Sequence, residues 1–257
     1  MVLENLTYQL WIYFFIFARM AGITFFIPFF STAFVPVQGK VFITLFISYL
    51  VLFEVNGTFP INSPPIVIIF YLLMNFVFGS SVGLIANILF YAFQFAGETI
   101  GIQMGFAMAN VFDPVTSDEI SLISELSFLL SMLLFFIFKG PLILYSIIID
   151  SFNKIPVVFT LTPDGFMIFS QKLFDVFTIG LQLSMPFIAF MILLKVALGI
   201  VSRLIPQVNV FMVGIPLQIL VGFLLFLGVI LIWEDQFTSL FFQLIKWIKN
   251  SMILLFQ

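Results

Sequence analysis

The side chains that most often carry out chemistry are scarce in this chain. Histidine and cysteine do not occur, which removes the commonest general base, thiolate nucleophiles, disulfides and the usual zinc ligands. The sequence contains no Ser-x-x-Lys, HExxH, GxSxG or phosphate-cradling glycine motif. Intramembrane aspartyl catalysis would need two facing acids in apolar helices, and Asp150 and Asp175 are not so placed. The residues therefore predict a protein that is not an enzyme, with no metal and no cofactor.

Four ionisable residues lie inside apolar segments, where a charge costs several kcal/mol unless protein, water or a headgroup surrounds it. They are Arg19, Glu98, Lys195 and Arg203. Either they line a path for an ion or a substrate, or they snorkel or pair with a neighbouring subunit. The second interpretation is favoured, because no acid recurs at relay spacing within one helix. Arg203 also complements the dipole at a helix end.

Three glycines are spaced four residues apart in the stretch "GETIGIQMGFAMANVFDP", residues 97–114. Gly97, Gly101 and Gly105 would give one helix face without side chains. Small residues let helices approach closely in membranes. This pattern predicts helix packing, although the spacing alone is common.

The end of the same stretch favours irregular backbone. Asn110, Asp113 and Pro114 are typical of a helix end followed by a turn. Such backbone occurs at membrane depth only where it is buried in protein or lines a water-filled cavity. The methionines and phenylalanines around it would give a deformable apolar surface. The residues leave two interpretations open, a re-entrant loop that gates a pore and plain packing.

The composition places the chain in a membrane. Hydrophobic residues make up 63%, charged residues 8%, and the mean hydropathy is +1.27, whereas soluble domains carry about 25% charged residues. Long continuous apolar runs predict an all-α polytopic membrane protein rather than a β-barrel. The net charge of −3 gives no basic footprint for nucleic acid. The start of the chain lacks a positive region, so we expect the first helix to remain in the mature protein.

The apolar runs predict about six long, kinked helices and a re-entrant loop near 106–116. Pro28 bends or ends the first helix, and Lys139-Gly140-Pro141 breaks the fourth. The second segment, 41–53, is short for a bilayer. The last two helices, 171–203 and 210–233, join at the inter-helix turn Arg203, Pro206, Gln207 and Asn209, and an amphipathic extension follows them. With about six spans, the loops on one side of the membrane carry three lysine or arginine residues and those on the other side carry four, which gives no orientation. Either these spans are misplaced or partner proteins hold the helices.

Several motifs resemble a known family. They are "RMAGITFFIPFF", "GExxGxQMGF" at residues 97–106, "GFAMANVFDP", and "RLIPQVNVFMVGIPLQILVG" around Pro206. Together they resemble the FliR family, the R subunits of the flagellar protein-export gate, and their counterparts in type III secretion injectisomes. Motif order and length agree over essentially the whole chain, and the wording of the motifs favours the flagellar branch.

The resemblance implies a non-enzymatic core component of the flagellar export gate, in the bacterial inner membrane at the flagellar basal body. It would be a single membrane-embedded unit, P-subunit-like over about 1–170 and a Q-subunit-like hairpin over about 171–257. Its implied partners are the P and Q subunits, the B and A export-apparatus subunits, and unfolded protein substrates. The family's plug loop maps by motif onto the following residues: Phe106, Met108, Asn110, Val111, Phe112, Asp113 and Pro114.

Two other classes of function stay open at this level. A stand-alone secondary transporter or small-solute channel would form a stable homo-oligomer and conduct solute without other subunits. A purely structural scaffold would tolerate changes in the loop without altering ion leak or secretion.

Overall fold

The computed structural model describes residues 2–31, 35–55, 64–106, 122–155, 159, 163–205 and 210–255. Within them the ordered elements are all helices, which confirms the predicted all-α membrane fold. In chain order these helices are α1 (Val2–Phe26), α2 (Pro28–Ser31), α3 (Val37–Leu52), α4 (Pro65–Met104), α5 (Leu122–Ile137), α6 (Gly140–Lys154), α7 (Pro163–Leu204) and α8 (Val210–Leu255).

Fewer helices can cross a bilayer than the six segments of the sequence. Among the described residues, α1, α4, α7 and α8 are long and apolar enough, and α5 with α6 can form one broken span. The helix α3 has 16 residues, about 24 Å at 1.5 Å per residue. That is short of a hydrocarbon core of about 30 Å, so the described residues support four or five spans.

The predicted helix breaks fall where the sequence places them. α1 ends at Phe26 and α2 begins at Pro28, since a proline ring cannot continue the preceding helix. Lys139, between α5 and α6, has a φ of 55°, a left-handed conformation that ends regular helix geometry.

Two boundaries of the last helices differ from the sequence prediction. α7 begins at Pro163 rather than near Gln171, because a proline is well tolerated in the first turn of a helix. The predicted C-terminal extension is continuous with α8 rather than a separate element. Its apolar side chains Leu244, Ile245 and Ile248 are buried in the protein, so they do not lie in a membrane interface.

The chain divides into two compact units. Unit 1 comprises residues 1–88, 135–173 and 242–257, and unit 2 comprises 89–134 and 174–241. In unit 1, α1 and α4 approach so closely that side chains do not fit between them. A Cβ at Gly22 would lie 2.6 Å from the amide nitrogen of Ser80, and one at Gly83 would lie 2.7 Å from Cβ of Phe26.

Arg19 is fully buried at the centre of unit 1. Its Nε donates to Oδ1 of Asn75 at 2.9 Å, and its Nη1 donates to Oγ of Ser151 at 3.0 Å. The guanidinium lies 4.6 Å from the ring centroid of Phe78 and 4.2 Å from that of Phe152, which are cation–π distances. Arg19 therefore neither lines an exposed path nor snorkels, but links α1 to α4 and α6.

Candidate functional site

The C-terminal part of α4 is the centre of unit 2. Phe93 packs edge-to-face on Trp233 of α8, with ring centroids 5.1 Å apart. A Cβ at Gly180 of α7 would lie 2.9 Å from the carbonyl oxygen of Ala92. The helices α7 and α8 also contact each other, where Nε1 of Trp233 donates to the carbonyl of Leu183 at 3.4 Å. Because α7 ends at Leu204 and α8 begins at Val210, this contact makes them an antiparallel pair.

Gly97 lies where α5 crosses α4. A Cβ at this position would lie 2.7 Å from both the carbonyl oxygen of Ile123 and Cβ of Ser127, closer than real Cβ contacts. Nearby, Oγ of Ser124 donates to the carbonyl of Gln94 at 3.1 Å. The absent side chain at Gly97 therefore sets how closely the start of α5 approaches α4.

Gly105 ends α4 through a C-terminal cap. Its φ is +94°, which a residue with a Cβ adopts only under strain. The amide of Gly105 donates to the carbonyl of Ile102 at 3.1 Å, and the amide of Phe106 donates to that of Gly101 at 3.2 Å. These two bonds form a Schellman motif.

This cap corrects one sequence interpretation and leaves another untested. The helix α4 ends at Met104, and the helix end predicted at Asp113 and Pro114 lies outside the described residues. Gly105 lies outside the helix, so it does not extend the packing face of Gly97 and Gly101. The nearest atom to a Cβ at Gly105 would be Oε1 of Gln218 at 3.8 Å, an ordinary contact, so backbone conformation rather than space requires a glycine there.

The end of α4 rests on one short stretch of α8. Met104 is fully buried, and its Cγ would lie only 2.6 Å from a Cβ at Gly222. The next residue of α8, Phe223, meets Phe106 edge-to-face, with centroids 6.1 Å apart and ring planes at 84°. Met104 thus occupies space that Gly222 leaves empty, and Phe106 packs against α8 directly after the cap.

The last turn of α4 also contacts α7. Nζ of Lys195 donates a hydrogen bond to Oε1 of Gln103. Glu98 and Arg203 are exposed, and Arg203 occupies the last turn of α7, where a cation complements the helix dipole. Of the four ionisable residues singled out in the sequence, Lys195 is therefore the one that joins the site.

Many of the predicted site residues lie outside the described part of the chain. Of the plug residues, Phe106 is described; Met108, Asn110, Val111, Phe112, Asp113 and Pro114 are not. In the inter-helix turn, Arg203 is described, whereas Pro206, Gln207 and Asn209 are not.

The structure adds residues that the sequence interpretation missed. Gln103, Gln218, Gly222 and Phe223 surround the end of α4. Gln103 and Gln218 carried a usable signal, since each is a polar side chain within an apolar helix. Gly222 and Phe223 carried none by themselves, because glycine and phenylalanine are common throughout the chain.

The chemistry around this site is that of packing. The described residues contain no cluster of three or more carboxylates that could hold a metal ion. Next to Phe106, one face of α8 is apolar and open, and it is formed by Pro216, Ile219, Leu220, Phe223, Leu224 and Leu227. Apolar contacts, a glycine cap and one lysine–glutamine bond are suited to holding a chain segment in position.

The fold and this site are those of an all-α membrane protein in which the helix α4 ends in a glycine cap packed against α8. Residues 10–244 match the family described as bacterial export proteins, family 1, and the chain belongs to that family. It is 32% identical to the flagellar biosynthetic protein FliR of Aquifex aeolicus (strain VF5) over 214 residues, 81% of each chain. It is 34% identical to FliR of Bacillus subtilis (strain 168) over 82% of each chain. FliR of Escherichia coli (strain K12) is 30% identical, over 76% of this chain and 75% of the relative.

Proposed function

We propose that the chain is a non-enzymatic core component of the flagellar protein-export gate in the bacterial inner membrane. The observation that carries this proposal is the family match over residues 10–244 together with several flagellar relatives that cover most of the chain. In this proposal it assembles with P- and Q-type subunits, and with the B and A subunits of the export apparatus at the basal body. Energy for export comes from other proteins and the proton gradient.

Within the gate, the segment from Phe106 to Pro114 acts as the plug of the channel. Support comes from the way both flanking helices are fixed. Gly97 and Ser124 hold α4 and α5 together, so Met104 and Leu122 lie within about 25 Å by helix rise and ordinary helix spacing. Residues 107–121, which lie between the cap residue Phe106 and Leu122, could span roughly 50 Å if extended. The chain therefore has length to spare for reaching a pore axis.

The seal would come from apolar side chains. Met108, Val111 and Phe112 lack charge, and methionine changes shape at low cost. An apolar constriction blocks ions by excluding water. An entering unfolded substrate displaces the segment, and the segment returns when the substrate has passed.

Deletion of residues 108–112 tests this role in the assembled complex. We expect ion leak across the membrane to rise while assembly with the P- and Q-type subunits is retained. Ion leak at the parental level would contradict the plug role. If secretion is unchanged too, the chain acts as a structural scaffold. Co-purification with those subunits supports the gate, whereas solute flux in liposomes from this chain alone would indicate an independent transporter or channel.

A further inference from the structure

Lys195 lies well inside α7, a long apolar helix in which a charged side chain is unfavourable without a partner. It is nine residues before the end of α7 at Leu204, about 13 Å along the helix axis. Ile192, which lies one turn earlier on the same side of α7, is an exposed apolar side chain. A cation beside apolar surface at membrane depth is unfavourable unless protein, water or a headgroup surrounds it, and the four-carbon stem of a lysine is too short to reach the helix end.

The C-terminus of α4 provides a favourable partner for the ammonium group of Lys195. A helix C-terminus carries a partial negative charge from carbonyls without partners in the helix. The last turn of α4 contains no basic residue of its own. Lys195 reaches across from α7 and donates to Gln103, which belongs to that last turn.

We propose that Lys195 is a positioning residue that fixes the end of α4 and hence the point where the plug segment leaves the helix. Its ammonium group balances the helix dipole from a neighbouring helix and anchors Gln103. The cap bonds from Gly105 and Phe106 to the carbonyls of Ile102 and Gly101 then form next to an immobilised turn. The role in gating rests on the proposed function, whereas the positioning itself concerns described residues alone.

Hydrogen–deuterium exchange of the full-length chain tests the positioning directly. The amides of Gly105 and Phe106 are the donors of the cap, so their exchange rate reports how often the cap opens. We expect Lys195→Met to accelerate their exchange about ten-fold, the size of effect typical for a hydrogen bond to a charged group. Lys195→Arg keeps a cation and donors, and we expect it to retain most of the protection.

Matched controls separate this effect from general loosening. Arg203→Met removes an exposed cation two turns further along α7 and should leave the cap amides unchanged. Gln103→Leu removes the acceptor without changing charge and should accelerate exchange less than Lys195→Met. Parental exchange in Lys195→Met, or equal acceleration in Arg203→Met, would overturn the inference.

The outcome is independent of the plug. If the cap amides respond but deletion of 108–112 leaves ion leak unchanged, Lys195 positions α4 and the plug role is wrong. If the deletion causes leak but the amides do not respond, the plug stands and Lys195 has no positioning role.

Discussion

Glycine is required at positions 97 and 105 for two different physical reasons. At Gly97 the backbone is helical, and a side chain would overlap Ile123 and Ser127 of α5. At Gly105 there is room for a methyl group, but the φ of +94° requires glycine. One glycine thus sets the distance between two helices, and the other sets the direction in which the chain leaves α4.

The first of these roles predicts a measurable cost. Gly97→Ala places a Cβ 2.7 Å from the carbonyl of Ile123, so α5 must shift, and we expect about 1–3 kcal/mol of destabilisation. The control is Gly199→Ala in α7, where no atom lies within 4 Å of the new Cβ. There the better helix propensity of alanine should stabilise the protein by up to about 1 kcal/mol. Thermal unfolding in detergent compares the two variants, and equal midpoints would contradict the packing role.

At the scale of helices, a single side chain connects three elements of unit 1. Arg19 of α1 donates to Asn75 of α4 and to Ser151 of α6, and two aromatic rings flank its guanidinium. Such a group is costly to bury alone, so its partners must stay in place. The polar contacts therefore add to the glycine contacts in fixing α1 against α4, and they also fix α1 against α6.

Arg19→Ala should disrupt this connection strongly. It leaves a cavity and removes the donor from buried polar groups, each of which is costly, so we expect a loss of about 3 kcal/mol or more. Arg203→Ala, at an exposed position, should change stability by less than about 0.5 kcal/mol. Unfolding of both variants in a denaturing detergent titration provides the measurement. Similar losses in the two would show that Arg19 does not hold the helices together.

The contact between α4 and α8 predicts a specific disulfide. Cγ of Met104 lies 2.6 Å from the Cβ position of residue 222, so the two Cβ atoms fall within the roughly 4.5 Å that a disulfide needs. Met104→Cys combined with Gly222→Cys should oxidise readily, and the absence of native cysteine makes the product unambiguous. Met104→Cys with Gly228→Cys is the control, since no atom lies within 4 Å of a Cβ at Gly228. Mass spectrometry reads both pairs, and a reduced first pair would contradict this packing.

The sequence predicts the helices better than it predicts the contacts between them. The apolar runs and Pro28 gave most helices, since span length and proline chemistry are local properties. The end of α4 at Gly105 was missed because glycine suits both helix packing and a C-terminal cap, and the four-residue spacing does not distinguish the two roles. The fate of Arg19 also depended on distant residues, Asn75 and Ser151, which no local pattern connects to it.

At the scale of the whole molecule, the spanning helices differ in how much of them the chain itself covers. In an apolar 18-residue stretch of α1 and of α4, 50% and 44% of the residues are buried, whereas in the corresponding stretches of α7 and α8 the buried share is 17%. Either lipid or a partner protein can cover apolar side chains exposed in this way. Together with the proposed export gate, this difference favours protein partners along α7 and α8.

Photo-crosslinking from the exposed face of α8 distinguishes protein from lipid at this surface. A benzoyl-phenylalanine placed at Leu227, which is 62% exposed, should form adducts with a P- or Q-type subunit in cells that assemble the gate. The same probe at Val229, which is 7% exposed, should crosslink only within the chain. In cells that lack the P- and Q-type subunits, the adducts at Leu227 should disappear while the chain remains in the membrane. If lipid adducts alone form at Leu227 when all subunits are present, this face of α8 lies against the bilayer and the partners bind elsewhere.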